Sequence, residues 1–293
     1  MPHAALKVIR PVVKLSSALS PRITGRLAFR LFCTPVGHAR INEKNPQIRA
    51  AQALFARAER RTVTHGCGYV QTAWFEPAGA SRGTVLVLHG WTGQSLFMAG
   101  FIEPLLEKGY RVVAVDLPAH GASSGKRLTF PLAIEAISSV VRDELPLAGI
   151  VAHSFGGAVA LAAVAGGVEH FAPIPARRVV TVAAPKAMQG YGQQFTRALG
   201  LTQRGHAAFE GEVMAIAGRP MESFSGEDYL RRTQVPTLVM HAPDDKEIPF
   251  SDAEALAAVG PHVELLMMPG LGHRRILMAK AVHQSAAEFI ARG

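Results

Sequence analysis

The sequence predicts an α/β fold, with a mostly parallel sheet, helices on both faces and a small helical lid. Three observations carry that expectation. Short β-branched, apolar runs alternate with stretches of helical spacing, the pattern of a parallel sheet wound with helices. Apolar residues make up 48% of the chain, enough to cover both faces of such a sheet. A buried-type run at 147–152 turns at once into a small-residue helix at 156–165, a tight strand-turn-helix unit.

The elements follow in order. Ile48, Ala51, Leu54, Phe55 and Ala58 recur at helical spacing, so 47–60 reads as an amphipathic helix. A first strand lies near 69–75. The apolar run 84–88 ends in His89-Gly90-Trp91 and leads to a helix near 98–108. A strand at 111–115 ends at Asp116, and the loop Asp116-Leu117-Pro118-Ala119-His120-Gly121 leads to a helix near 131–144. Further strands are expected at 178–184, 236–241 and 262–268. Between 184 and 236 the rhythm breaks. Tyr191, Phe195, Leu199, Phe209, Val213, Ile216 and Phe224 have helical spacing and no good strand. This insertion reads as the lid, at about 186–233. A lid excludes water and shapes a pocket, and its apolar residues suit either a hydrophobic substrate or packing onto the body.

The chemistry centres on Ala152-His153-Ser154-Phe155-Gly156. A serine at a sharp strand-to-helix turn, flanked by small residues, has its hydroxyl lifted above the sheet edge. Ala152 stands where such turns usually carry Gly. A serine alone also suits a helix N-cap, and its hydroxyl needs a base and an orienting group to react. Both follow downstream. The strand at 236–241 ends in a Pro- and Asp-rich turn, Ala242-Pro243-Asp244-Asp245, which puts a carboxylate just past a strand end. The strand at 262–268 ends in Pro269-Gly270-Leu271-Gly272-His273, which puts a histidine on the next loop.

With these pieces in the order Ser, Asp, His, residues 69–291 resemble the α/β-hydrolase superfamily, in its serine esterase, lipase and monoacylglycerol-lipase-like branch. The resemblance implies an acyl-enzyme mechanism with Ser154 as nucleophile, His273 as base and Asp245 as the acid that orients it. Asp245 matches the superfamily's Asp-x-x-Ile-Pro form through Ile248-Pro249, which leaves Asp244 as a turn residue capping local N–H groups and Glu247 solvated. Backbone N–H groups of Trp91 and Phe155 would hold the oxyanion. His89, His120, His153 and Asp116 read as structural. A serine nucleophile argues against dehalogenases and epoxide hydrolases, whose resembling motifs carry Asp there. No metal or organic cofactor is expected.

Charge divides the chain. Residues 1–61 hold 12 Lys/Arg against 2 Asp/Glu, and residues 62–293 hold 19 against 20. The expected organisation is a basic helical N-terminal extension at 1–61 followed by the hydrolase domain at 62–293. The basic segment suits a solvated face, contact with an anionic membrane surface or a targeting sequence. Lys7, Arg10, Pro11 and Lys14 interrupt the apolar character of the N-terminus, which speaks against a secretory signal and a membrane span. Two cysteines, Cys33 and Cys67, lie far apart without metal-type spacing, as free thiols of a reducing compartment do. A cytoplasmic or membrane-peripheral location is therefore expected, with a small-molecule or lipid ester as substrate and no nucleic-acid partner. An acyltransferase, a C–C bond hydrolase or a cofactor-free perhydrolase would use the same triad. A non-catalytic binding protein on the same scaffold is the reading from another class.

Overall fold

The computed structural model describes residues 3–37 and 41–292. The chain opens with α1 (His3–Leu19), α2 (Pro21–Phe32) and α3 (Pro46–Phe55), then the hairpin β1 (Glu59–His65) and β2 (Gly68–Phe75). Strands and helices then alternate through β3 (Thr84–Leu88), α4 (Ile102–Glu107), β4 (Arg111–Val115), α5 (Phe130–Val141), β5 (Gly149–His153), α6 (Phe155–Val164) and β6 (Val179–Val182). Three helices, α7 (Gln189–Leu199), α8 (Gln203–Ala217) and α9 (Gly226–Thr233), separate β6 from β7 (Thr237–His241). The chain finishes with α10 (Phe250–Ala257), β8 (Val263–Met267), α11 (Gly272–Arg275) and α12 (Lys280–Ala291).

The strands form one sheet in the order β1-β2-β4-β3-β5-β6-β7-β8. From β4 to β8 every pairing is parallel, and β1 and β2 add two antiparallel pairings at one edge. The central strands are continuous apolar runs because helices cover both faces. Val85 to Leu88, Val112 to Val115 and Ile150 to Ala152 have no exposed surface. The chain steps from β3 to β4 on one side and returns to β5 on the other. That reversal falls at the carboxyl ends of β3 and β5, where the loops that carry Trp91 and Ser154 leave the sheet.

The hairpin strand β1 was not legible in the sequence. Its residues Glu59, Arg60 and Arg61 are exposed, so the polar segment carries no apolar alternation. It is held by its pairing with β2 and by the Arg61 guanidinium lying 4.1 Å from the Trp74 ring centre. The helix expected at 47–60 ends at Phe55 instead. Its start is capped by the Asn45 side chain, which accepts from the Gln47 N–H.

Two compact units result: a helical one, Met1–Thr34 with Ala187–Ser225, and a sheet unit, Pro35–Lys186 with Gly226–Gly293. This division differs from a boundary at 61. Residues Ile48, Ala51 and Phe55 of α3 are buried, and Phe55 packs edge-on against Phe75 in the sheet unit. Residues 1–34 group with most of the segment expected as a lid. There α2 lies close on α8, because Gly25 has no side chain; a Cβ at that position would meet Ala208 Cβ at 2.6 Å. Ser17 and the Thr202 cap of α8 are joined by a hydroxyl–hydroxyl hydrogen bond of 2.8 Å. Phe29, Phe32, Phe195 and Phe209 pack edge-on around one another. By contrast α9, inside the expected lid range, belongs to the sheet unit.

Candidate active site

Ser154 stands between β5 and α6 with φ 52° and ψ −122°. A non-glycine residue held in that region stores on the order of 1–3 kcal/mol of strain and persists only where its surroundings enforce it. The enforcement is visible: the Ser154 N–H donates to the Val182 carbonyl at 2.8 Å, and the Ser154 carbonyl accepts from the Gly157 N–H. Two glycines make room. The nearest atoms to a Cβ at 156 would be the His89 and Leu88 carbonyl oxygens, at 2.5 and 3.1 Å. Gly156 is thus required by the end of β3 and not by Ala152 across the turn. A Cβ on Gly90 would lie 2.9 Å from Ser154 Cβ, so that glycine lets the turn after β3 approach the serine.

The other two residues arrive from the ends of neighbouring strands. Asp245 follows β7 and His273 follows β8. His273 Nδ1 lies 2.8 Å from Asp245 Oδ2, and His273 Nε2 lies 3.1 Å from Ser154 Oγ. With its proton on Nδ1, the imidazole donates to the carboxylate and leaves Nε2 to accept from the serine hydroxyl. The structure therefore brings Ser154, Asp245 and His273 into one hydrogen-bonded series. Such a series lets a neutral hydroxyl attack as a nucleophile.

Asp245 is buried and fully coordinated. Burial alone would favour its neutral form. Hydrogen bonds from His241 and His273, and from the N–H groups of Ile248 and Glu247, outweigh that and hold the carboxyl well below the usual carboxylate range. In the sequence His241 is only the last residue of a strand. It is buried, with Nε2 3.4 Å from Asp245 Oδ2 and 3.1 Å from the Ile248 carbonyl. Its position four residues before Asp245 was the available signal.

The neighbouring residues brace these loops. His153 Nε2 donates to the His273 carbonyl at 3.0 Å. Burial, and the proximity of His273, push its pKa down to about 3, so the ring is neutral. Asp244 accepts from the Gly270 N–H at 2.7 Å. It ties the aspartate loop to the histidine loop, where a cap on local N–H groups was expected. Glu247 is exposed, as expected; it also pairs with Arg274 at 2.8 Å and comes within 3.9 Å of His273 Nε2. His89 Nε2 accepts from the Leu117 N–H and His120 Nε2 from the Thr92 N–H. Asp116 accepts from the N–H groups of Ser95 and Ala122. Together they fix the loops after β3 and β4. Phe155 opens α6, so its N–H has no intrahelical acceptor. Trp91 packs edge-on against Phe155, and Phe155 against Phe130, an aromatic group beside the serine. Among the described residues no His, Cys, Asp or Glu cluster is arranged to hold a metal.

A match over residues 85–292 to the alpha/beta hydrolase family decides the classification. The chain belongs to that family. The alpha/beta hydrolase assignment agrees with curated relatives. A pimeloyl-[acyl-carrier protein] methyl ester esterase of Xanthomonas campestris pv. campestris is 27% identical over 250 residues, covering 69% of this chain and 94% of the relative. A 2-hydroxy-6-oxononadienedioate/2-hydroxy-6-oxononatrienedioate hydrolase of Escherichia coli O139:H28 is 34% identical over 122 residues, covering 38% and 39%. Among solved structures, an esterase of Pyrococcus furiosus superposes with a TM-score of 0.61 at 21% identity, covering 86% of this chain and 97% of the other. A thermophilic esterase of Thermogutta terrifontis gives 0.58 at 16% identity, covering 80% and 98%. The structures share the fold. The family makes this chain an alpha/beta hydrolase enzyme, and the relative named an esterase supports the carboxylic-ester hydrolase class.

Proposed function

We propose that the chain cleaves a hydrophobic carboxylic ester through an acyl-enzyme formed on Ser154. The observation that supports this reading most directly is the unbroken series Asp245–His273–Ser154, with contacts of 2.8 and 3.1 Å. As Oγ attacks the ester carbonyl, its proton passes to His273 Nε2, and the Asp245 carboxylate stabilises the imidazolium. The N–H groups of Trp91 and Phe155 receive the developing oxyanion, each such donor contributing about 3 kcal/mol to the transition state. His273 then protonates the departing alcohol. Water, deprotonated by the same ring, attacks the acyl group and releases the acid and Ser154.

The aromatic group of Trp91, Phe155 and Phe130 favours an apolar acyl or alcohol part, and a monoacylglycerol is a substrate of that chemistry. The esterase named for a pimeloyl methyl ester is likewise directed at an acyl ester. The test is labelling with a fluorophosphonate probe, wild type beside Ser154→Ala and His273→Ala. Labelling of wild type that vanishes in both variants, with release of acid and alcohol from short p-nitrophenyl esters, is the expected result. A folded wild type that neither labels nor turns over esters of any chain length overturns it and favours a binding protein.

A further inference from the structure

Among the described residues, α1 and α2 each have side chains buried on one face and exposed on another. On α2 the inward residues Thr24, Gly25, Ala28 and Phe29 are buried, and Gly25 stands against α8. On α1 Ser17 is buried and bonded to Thr202. The outward faces are aliphatic. Val12, Leu15 and Leu19 recur at i, i+3 and i+7 and are 68%, 63% and 76% exposed, while Ile23 and Leu27, at i and i+4, are 64% and 56% exposed. Five aliphatic side chains left in water over sixteen residues form an uncompensated apolar surface.

Charge identifies what covers it. Residues 1–34 contain six Lys/Arg and no Asp or Glu. Arg22, Arg26 and Arg30 are exposed and run down α2 one residue ahead of Ile23 and Leu27. Arg26 reaches Glu212 at 3.8 Å and is still largely exposed. A shallow groove beside them is lined by Pro21, Arg22, Ile23, Arg204, Ala207 and Ala208. A second copy of the chain would bring like charges together. A bilayer with anionic headgroups answers both features: aliphatic side chains enter the acyl boundary while arginine stems extend along it and their heads meet phosphates. Among the described residues no helix is long and apolar enough to cross a membrane, so the contact lies in the interface plane.

We propose that the outer faces of α1 and α2 are a docking surface for an anionic phospholipid bilayer. Each guanidinium close to such a surface adds an attraction that falls away within a Debye length. The surface is independent of the triad.

Flotation of the full chain with vesicles tests this, using phosphatidylcholine alone and phosphatidylcholine mixed with phosphatidylglycerol, at low salt and at about 1 M salt. Wild type is expected to float with the mixed vesicles at low salt and to be released at high salt. Replacing Arg22→Gln, Arg26→Gln and Arg30→Gln together is expected to weaken binding by roughly a hundredfold. Leu15→Asp with Leu19→Asp and Ile23→Asp is expected to abolish it. Thermal melting and fluorophosphonate labelling, which depend on no lipid, report that each variant is folded. If the aspartate variant melts early, the arginine variant and the salt series decide alone. Wild type that ignores the mixed vesicles at low salt, or variants that bind them as wild type does, overturns the proposal. So does a concentration-dependent dimer, seen in sedimentation, that the aspartate variant abolishes. Failure of probe labelling would weigh on the hydrolytic reading alone.

Discussion

Asp245 shows how one residue's surroundings determine its chemistry. Its Oδ1 accepts from the Glu247 and Ile248 N–H groups, and its Oδ2 faces His273 Nδ1. The carboxylate therefore stays charged, and His273 carries its proton on Nδ1. In Asp245→Asn the amide would favour the opposite tautomer, and Nε2 could no longer accept from Ser154. The expected outcome is a fall in kcat of about 10⁴-fold with KM little changed, measured on a soluble ester. A loss confined to KM would assign Asp245 to binding. In the sequence, Asp245 was distinguishable from Asp244 through the family resemblance, whose Asp-x-x-Ile-Pro form Ile248-Pro249 completes. The partners of Asp244 and Glu247, at Gly270 and Arg274, lie more than twenty residues along the chain, and no local pattern points to them.

At the level of elements, backbone approach decides which segments associate. Periodicity identified β3, β4, β5 and the small-residue α6, because burial on all sides demands apolar and small residues. It did not indicate that α2 and α8 would pair. That pairing depends on Gly25, whose missing side chain admits Ala208 and the Gly205 carbonyl. Gly25→Val would force two helix backbones apart. The expected cost is about 1–3 kcal/mol, read as a lower urea midpoint by circular dichroism. A midpoint unchanged from wild type would show that α8 can move aside freely. The edge strand β1 was equally hidden, since an exposed, charged strand is defined by its partner.

For the whole molecule, buried neutral histidines set the response to acid. His153 has its pKa pushed down to about 3 by burial and by His273, and burial also lowers that of His283. In the unfolded chain both titrate near the ordinary 6.5. Below that value the unfolded state binds protons that the folded state refuses, so stability falls as pH falls. For His153 the window runs from 6.5 down to about 3, at about 1.4 kcal/mol per pH unit. Between pH 6.5 and 5 the expected loss is therefore about 2 kcal/mol from this residue. Urea unfolding at the two pH values, wild type beside His153→Gln, checks it. The variant should lose measurably less stability, and an identical loss in both would remove His153 from the account.

By itself the sequence determined the parallel α/β class, the strand-turn-helix at Ser154, and the chain order in which serine, aspartate and histidine follow strand ends. These are local properties: apolar runs, glycine positions and turn residues act over a few neighbours. Only the tertiary structure decided that His241 lies against Asp245, that His153 holds the His273 carbonyl, and that residues 1–34 join the inserted helices. Those contacts join residues near one another in space. They exist because the strand order carries the chain ends of β5, β7 and β8 to one sheet edge and because two helices pack where glycine lets them.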